Sequence, residues 1–453
     1  MAFAKHPRLS RRLAVILAVS IFFILLPNRA PAAFNLLETY QLARENDPVY
    51  RKAVHQNRAG LEVKNQALAR FYPALNAEGQ YKKTEEEIVS SDNTYYTDGE
   101  SDYPTTSYSV ALTQPLFNYT IWVGYKQAKA QVMLAELELE IARQELIMRS
   151  AEVYTEALSA KDNLVFAETE LAAVSLNNIS AEKRYSAGLV AVTDLYDSRA
   201  RLSTSIAKRA AAEDVLDDAL RALEEITGKL PAAFARLREG IPLVDPAPAD
   251  EEQWVTQALA QNPVLLARTH AVAVASREVE RQKSAHYPTV DLTYSFNNRD
   301  TEGSLFGGGS EVKTTEAMVT MKLPIFQGWY VSSKTTEARE LLKAANEELS
   351  REKRGVERQV RSAYQGVLSS IERVRALEDA LEAQLLTLQA KKKGFDAGLL
   401  TSLAVLDAER DLFFIKTDYA TARYDYLINT LRLKRGAGIL GEEDVVAVNL
   451  MLL

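Results

Sequence analysis

The sequence predicts a mainly α-helical protein with a small β part, built as a tandem repeat. Two prolines 25 residues apart mark each half, Pro48 with Pro73 and Pro263 with Pro288. No glycine or proline interrupts residues 125–187, whereas an average globular helix has about 11–12 residues. Other segments alternate apolar and polar residues, which is typical of strands with one apolar face.

The repeat rests on four landmarks that recur in the same order. Besides the two proline landmarks, Gln114–Phe117 returns as Leu323–Phe326, and Ala187–Leu189 returns as Ala397–Leu399. A unit of about 200 residues is far longer than a solenoid module, so it predicts a duplicated half-molecule. The expected segments are a first repeat over 33–229, a linker over 230–249, a second repeat over 250–435 and a C-terminal tail over 436–453. In each repeat we expect a helix, a β-hairpin (about 74–117 and about 289–326) and two long helices.

Residues 1–32 have the pattern of an export signal. Lys5, Arg8, Arg11 and Arg12 precede an almost continuously apolar stretch from Leu13 to Leu26. Ala30-Pro31-Ala32 then offers small residues where a signal peptidase cleaves. An apolar core this short predicts a cleaved signal peptide, with a retained membrane anchor as the alternative.

The composition excludes several classes of protein. The chain has no cysteine, which excludes disulfides and thiolate metal sites. It has four scattered histidines and none of the usual metalloprotease, hydrolase or nucleotide-binding motifs, so we expect no catalytic residue, no metal and no cofactor. The formal net charge of −7 argues against a nucleic-acid partner.

The long helix of the first half carries a coiled-coil seam. Its apolar positions alternate steps of four and three residues, with one doubled four around Leu146, and such a seam predicts lengthwise packing against other helices. The seam residues are Ala128, Val132, Ala135, Leu139, Ala142, Leu146, Ser150, Val153, Ala157, Ala160, Leu164, Ala167, Leu171 and Val174. A two-stranded stalk is the alternative interpretation.

Four strands alternate apolar with polar residues, two in each half. In an exported protein this pattern indicates a membrane barrel that faces lipid outside and water inside. Four strands cannot close a barrel, because the smallest have about eight, so copies must pool strands: two copies give eight and three give twelve. The alternative is a soluble sheet with one wet face. Residues 85–105 and 298–311 are expected to be exposed loops.

The sequence resembles the TolC family of outer-membrane efflux ducts over essentially all of the chain after the signal. The motifs that carry the resemblance are Leu406-Asp407-Ala408-Glu409-Arg410, the run from Ala422 to Asn429, Ala187-Gly188-Leu189-Val190-Ala191-Val192-Thr193-Asp194 and Ile226-Thr227-Gly228. The resemblance implies a homotrimer with one twelve-stranded outer-membrane β-barrel, continued by a twelve-helix tunnel through the periplasm. It also implies contact with outer-membrane lipid, a periplasmic adaptor (membrane fusion) protein and an inner-membrane pump of the ABC or RND type.

In this family the periplasmic tip carries two helix–helix turns, which here are Gly188-Leu189 and Gly398-Leu399. The resemblance implies that they contact the adaptor. An ordinary helix C-cap is the simpler explanation for one such motif, but the motif recurs at matched register.

The family's gate is a set of polar links between helices, and this sequence keeps only part of it. Thr193 and Asp194 match a threonine–aspartate pair, whereas Phe395 replaces a tyrosine and Leu400 replaces an arginine. Asp407 matches one of two aspartate rings, and Ala404 occupies the other position. The resemblance thus implies one ring of three carboxylates and a closed state held by packing and other contacts.

Together with these patterns, the resemblance implies a passive outer-membrane channel for type I protein secretion, small-molecule efflux or both. It would be opened at its periplasmic tip by the adaptor and pump. The alternative is a periplasmic coiled-coil adaptor or a structural stalk. An enzyme would need converging polar residues that the sequence does not offer.

Overall fold

The chain folds into two similar halves that share one β-sheet. The computed structural model describes residues 34–90, 92, 99–231, 233–304 and 308–452. The predicted signal peptide, 1–32, lies outside them. The first half contains α1 (Leu36–Asn46), α2 (Pro48–Ala69), β1 (Ala74–Glu87), β2 (Glu100–Asn118), α3 (Tyr119–Ser186) and α4 (Val192–Thr227). The second contains α5 (Glu251–Gln261), α6 (Pro263–Lys283), β3 (Thr289–Thr301), β4 (Ser310–Lys322), α7 (Tyr330–Asp396), α8 (Ser402–Ala437) and α9 (Glu442–Asn449).

Each half begins with two helices, where we predicted one. Pro48 and Pro263 are the first residues of α2 and α6, and the residue before a proline disfavours helical backbone. The preceding residues, Asp47 and Asn262, are accordingly extended, and their side chains accept hydrogen bonds from the first N–H groups of the following helix. In each half the first helix therefore ends before the proline, and a second helix begins at it.

The sheet has the order β1-β2-β3-β4 with every pair antiparallel. Its register places Leu75 opposite Leu112 and Val110 opposite Phe296. Leu292 lies opposite Val319, so the apolar residues of all four strands share one face. That face is open to the surroundings, with Leu75 69% and Val319 62% exposed. Along the described residues, β1 and β4 each pair on one side only and leave two open sheet edges.

All four strands extend further into their connecting loops than the sequence predicted, and β4 ends earlier than predicted at its other end. β1 and β2 stay paired to Glu87 and Glu100, inside the predicted 85–105 loop. β3 and β4 likewise stay paired to Thr301 and Ser310. β4 ends at Lys322, two residues before Pro324. A proline has no backbone N–H, so it cannot donate a hydrogen bond to a neighbouring strand. β2 contains Pro115 and continues beyond it, and its pairing with β3 shifts register between Pro115 and Phe117.

The long helices make the molecule elongated. α3 has 68 residues and α7 has 67, which corresponds to about 100 Å each at about 1.5 Å per residue. α2 and α4 pack along successive parts of α3, and α6 and α8 along successive parts of α7. No residue of the predicted seam on α3 is exposed: nine are buried and five are half-buried. None of the described helices combines the length and the apolarity needed to cross a bilayer.

The main core lies at the middle of α3, where both halves, the linker and the tail meet. The Tyr154 hydroxyl, buried there, lies within hydrogen-bond distance of the carbonyl oxygens of Phe34 (3.1 Å) and Ala235 (2.9 Å), which share its single proton. Leu237 of the linker pairs with Leu452 of the tail through an isolated bridge. The predicted linker is therefore a packed segment. The tail also differs from the expectation, because α8 continues to Ala437 and α9 follows it.

Candidate functional site

The predicted tip turns have the same backbone geometry in both halves. Gly188 has φ +70° and Gly398 has φ +72°, in the left-handed region that glycine adopts without steric cost. The next residue in each turn donates back into the helix that has just ended: Leu189 N–H to Arg184 O at 2.9 Å, and Leu399 N–H to Gly394 O at 2.8 Å. These bonds satisfy carbonyls that a helix end would leave unpaired.

The turns present apolar side chains at the end of each helix pair. Leu189 is 74% exposed and Leu399 is 81% exposed. Val192 and Leu403, just beyond the turns, are exposed as well. Burying these apolar groups against another surface would be favourable.

Thr193 and Asp194 lie in the first turn of α4 with exposed side chains. The Asp194 N–H donates to Ala191 O at 3.2 Å. A carboxylate at this position is favoured by the positive end of the helix dipole. In the second half, Ala404 takes the corresponding place in α8, and its N–H is capped by the Thr401 side chain at 3.4 Å.

Phe395 and Leu400 flank the second turn, and each contacts a different residue. The Phe395 ring is half-buried, and the Arg184 guanidinium of the other half lies over it, 4.9 Å from the ring centroid. Leu400 lies against Gly394, where a Cβ would stand 2.9 Å from the leucine Cδ1. The two tips of one chain are therefore linked by the contact between Arg184 and the Phe395 ring. The tyrosine hydroxyl that the family has at this position is absent.

Asp407 is ion-paired, a feature that the sequence did not predict. Its Oδ1 lies 3.2 Å from Nη1 of Arg201 on α4 and 3.6 Å from Nη1 of Arg410. Arg201 also binds Asp197, four residues earlier on its own helix, at 3.1 Å. The i,i+4 spacing of Asp197 and Arg201 could have predicted the ion pair within α4. The sequence could not show that Asp407 of α8 approaches the same arginine.

Both arginines that approach Asp407, Arg201 and Arg410, line a groove of about 520 Å³ between the two helix pairs. Lys208 of α4 projects into it, binds Glu170 of α3 at 3.0 Å and lies 5.5 Å from the ring centroid of Phe413 on α8. On the other wall, Lys392 binds Glu409 at 2.8 Å. The groove therefore combines aromatic rings with ion pairs that connect neighbouring helices. Groups of acidic or histidine side chains able to hold a metal do not occur within the described ranges.

The fold defines a subunit of an outer-membrane channel. It has an open sheet with an apolar face, and this sheet is joined to two long helix pairs with exposed apolar tips. Comparison with known proteins leads to the same class. The outer membrane efflux protein family profile matches residues 39–229 and 254–438, and the chain belongs to this family.

Two relatives are similar over most of their length. The chain is 31% identical to the outer membrane protein TolC of Vibrio cholerae, covering 92% of this chain and 93% of TolC. It is 29% identical to the alkaline protease secretion protein AprF of Pseudomonas aeruginosa, covering 94% and 89%.

Solved structures share the fold. The CmeC outer membrane channel of Campylobacter jejuni superimposes with a TM-score of 0.76 at 15% identity, covering 92% of this chain and 89% of CmeC. CusC gives a TM-score of 0.73 at 20% identity, covering 90% and 92%.

The predicted fold class and the predicted function as an outer-membrane export channel that extends into the periplasm are confirmed. The relatives are channel proteins, and nothing supports the adaptor alternative. Channels of this family form trimers and work with adaptor and inner-membrane pump components. The roles of the gate and tip residues remain predictions.

Proposed function

We propose that three copies of this chain form a passive duct for type I protein secretion, with small-molecule efflux as a second use of the same channel. The observation that carries this proposal is the four-stranded sheet with two open edges and an exposed apolar face. Open edges are not tolerated in lipid, so β1 of one copy pairs with β4 of the next. Three copies then close a barrel of twelve strands.

Aromatic side chains support the placement of the sheet in the membrane. They lie at the end of the sheet from which the long helices leave, and aromatic rings gather at membrane–water interfaces. Exposed aromatics at this end are Tyr72, Trp122, Tyr287, Phe326, Trp329 and Tyr330. The exposed apolar face then meets the lipid hydrocarbon, and α3, α4, α7 and α8 extend into the periplasm.

Protein secretion is favoured as the cargo class by two relatives. AprF is an alkaline protease secretion protein. PrtF of Dickeya chrysanthemi is a proteases secretion protein, 25% identical over 96% of this chain and 94% of its own length. Both carry that function in their names, and this chain matches them over nearly its full length.

In the proposed mechanism the duct performs no chemistry and uses no cofactor. The adaptor binds the tip turns at Gly188-Leu189 and Gly398-Leu399, where exposed leucines offer apolar contact. Movement of the helix pairs then widens a constriction formed by Thr193, Asp194, Phe395, Leu400, Ala404 and Asp407. The ABC or RND pump in the inner membrane supplies the energy.

A deletion strain tests this function. Loss of the gene should abolish export of a type I substrate and lower resistance to drugs, and a plasmid copy should restore both. A matched plasmid carrying Leu189→Asp and Leu399→Asp should give normal amounts of outer-membrane protein without export, because charged tips no longer bind an apolar adaptor surface. Normal export from the deletion strain would contradict the proposal, and so would a soluble periplasmic protein.

A further inference from the structure

We propose that the groove between the two helix pairs binds aromatic organic anions, which are small molecules with a fused-ring body and one carboxylate or sulfonate group. Residues of α3, α4, α7 and α8 of a single chain line this groove, so the site needs no side chain from a neighbouring copy. Such a site goes beyond the export function proposed above and does not depend on the identity of the cargo.

The groove has the dimensions of a small-molecule site. Its volume of about 520 Å³ falls within the range of about 300–1,000 Å³ that is typical of ligand pockets. On α4 the lining extends from Asp197 to Lys208, and a helical segment of that length spans about 16 Å. A molecule of two or three fused rings with a charged substituent therefore fits along the groove.

The interior of the groove is apolar and aromatic. The rings of Phe166 on α3 and Phe413 on α8 lie perpendicular to each other, with 6.4 Å between their centroids. Aromatic rings pair favourably at centroid distances of about 4.5–7 Å, offset or edge to face, so both rings can contact a third one placed beside them. The aliphatic part of the lining is formed by Val174, Leu388, Leu406 and Leu412. Burial of an aromatic body against these side chains is favoured by the hydrophobic effect.

Charged side chains surround this apolar interior, and cations outnumber carboxylates among them. The cations that line the groove are Arg201, Lys208, Lys392, Arg410 and Lys416, and the carboxylates are Glu170, Asp197 and Glu409. The two arginines bind aspartates and the first two lysines bind glutamates, all within 3.1 Å. Lys416 differs, because it makes no ion pair or hydrogen bond within the described part of the chain. It is therefore the groove cation that is left to bind a ligand.

Lys416 is placed to receive the anionic group. It is half-buried, and it follows Phe413 by three residues on α8, which puts the two side chains on the same face of the helix. Lys208 approaches the same ring from α4, with its Nζ 5.5 Å from the centroid. A carboxylate or sulfonate beside Lys416 would form a charge-assisted hydrogen bond while its ring system lies against Phe413.

These groups also determine which ligand charge the groove prefers. A neutral molecule of the same shape gains the apolar contacts but forms no charge-assisted hydrogen bond, and it leaves the Lys416 ammonium unpaired. An ammonium ligand would in addition be repelled by Lys416. The groove should therefore bind molecules with one ring system in the order anion, neutral molecule, cation.

Isothermal titration calorimetry of the full trimer in lipid nanodiscs tests the site, with naphthalene-2-sulfonate as the probe and protein-free nanodiscs as the blank. Saturable binding of one probe per chain is expected. The neutral 2-naphthol and the cationic 2-naphthylmethylammonium should each bind about tenfold more weakly or worse, because the hydrogen bond to a charged group is lost. Lys416→Ala should weaken binding of the sulfonate about tenfold for the same reason. Lys416→Arg should stay close to the wild type, since it keeps the positive charge.

Lys393→Ala is the matched control. Lys393 is an exposed lysine of α7 outside the groove lining, next to Lys392, so its loss should leave binding of the sulfonate unchanged. Every variant should elute as the same trimer, which shows that it folds. No saturable binding to the wild-type trimer, equal affinity for the three naphthalenes, or wild-type affinity in Lys416→Ala would overturn the site and leave the duct standing. Normal export from the deletion strain would contradict the duct and leave the site standing.

Discussion

Asp197 and Asp407 occupy equivalent positions in the two repeats, and one guanidinium group, that of Arg201, binds both of them. The repeat position equivalent to Arg201 holds Asp411. The second half therefore has no arginine of its own at this place. A perfectly symmetric duplication would have an arginine four residues after the aspartate in each half. Here Arg201 pairs with Asp197 in its own half and also joins the halves through Asp407, which lies 3.6 Å from Arg410 of its own helix. The departure from symmetry lies where the gate is proposed.

The glycines at helix ends should differ in their tolerance of alanine. Gly438, the C-cap of α8, has φ +79°, and a Cβ there would stand 2.6 Å from the Asn262 Cα. Gly438→Ala should cost roughly 3 kcal/mol or more, because backbone cannot move aside as a side chain can. Gly188 has φ +70° and open space around it, so Gly188→Ala should cost only about 1–2 kcal/mol. Thermal melting should give the larger loss of Tm for Gly438→Ala; equal losses would contradict this ranking.

Removal of the Asp47 side chain should lower the stability of the fold more than removal of its charge alone. It is 2% exposed, caps α2 and binds Arg149 of α3. Asp47→Asn keeps a capping oxygen but leaves the arginine without its carboxylate, at about 1–3 kcal/mol. Asp47→Ala also removes the cap, at about 1 kcal/mol more. Tm should fall in the order wild type, Asp47→Asn, Asp47→Ala.

The second repeat provides the control for Asp47. Asn262 caps α6 at the equivalent position, and its Nδ2 donates to Gly436 O at 2.8 Å. Asn262→Asp should destabilise the protein as well, because a carboxylate cannot donate to that carbonyl and would be buried unpaired. A neutral or stabilising result would mean that the two caps are interchangeable and that the Asn262 amide makes no necessary contact.

Glu278 should contribute a pH-dependent part of the stability. Hydrogen bonds from the Arg281 side chain, at 2.7 and 2.8 Å, are the main cause that lowers the pKa of this carboxyl to about 2, and Gln127 of α3 donates as well. A lowered pKa means that the charged form stabilises the fold. This contribution is complete above the pKa of an unfolded glutamate, about 4.3, and is lost as the pH falls through about 2.

Glu278→Gln should therefore lower Tm at pH 7 and have little effect near pH 2. The matched control is Glu340→Gln, which removes an exposed ion pair with Lys343 and should change Tm little at either pH. A Tm difference between Glu278→Gln and wild type that persists unchanged at pH 2 would contradict the assignment.

The fold could be predicted from the sequence because its signals are local and repeated. The α3 seam, the dyad alternation around Val110 and Phe296, and the turns at Gly188 and Gly398 each follow from period or backbone preference. The paired helices that begin each half were missed because the proline signal was used as a repeat landmark and not as a helix start. Strand ends were missed because polar residues such as Glu86 and Asp300 continue the ladder without an apolar pattern.

The contacts of the site could not be predicted in the same way. Arg201 and Asp407 are 206 residues apart in the chain, and their meeting depends on how two helix pairs are placed side by side. Arg184 and Phe395 meet for the same reason. Periodicity reports which face of a helix is apolar, but it carries no information about which charged side chain lies across a groove.

The central claim is that copies of this chain close one barrel by pairing β1 with β4 of a neighbour. Leu75 and Ala317 lie at the same level of the sheet, on β1 and β4, because Leu75 pairs with Leu112, Leu112 with Tyr294 and Tyr294 with Ala317. Within one chain they are about 14 Å apart, at about 4.8 Å per strand. Between neighbours, β1 and β4 would be adjacent strands, and the stagger that closes a barrel would shift Leu75 along β4, opposite another position of the same face.

The most direct test is cross-linking in outer membranes of Leu75→Cys together with one further cysteine, using a bis-maleimide whose span is shorter than that intrachain separation. The second cysteine is placed in turn at the β4 positions of the same face, which are Glu311, Lys313, Thr315, Ala317, Val319 and Met321. The chain has no cysteine of its own, so only the introduced pair reacts, and each single variant is the control. Denaturing gels should show dimers and a limiting covalent trimer for the double variants whose β4 cysteine lies opposite Leu75→Cys of the neighbour, and only monomers or isolated dimers for the single variants. Monomers alone from every double variant, or a ladder that continues beyond three, would contradict the closed trimeric barrel.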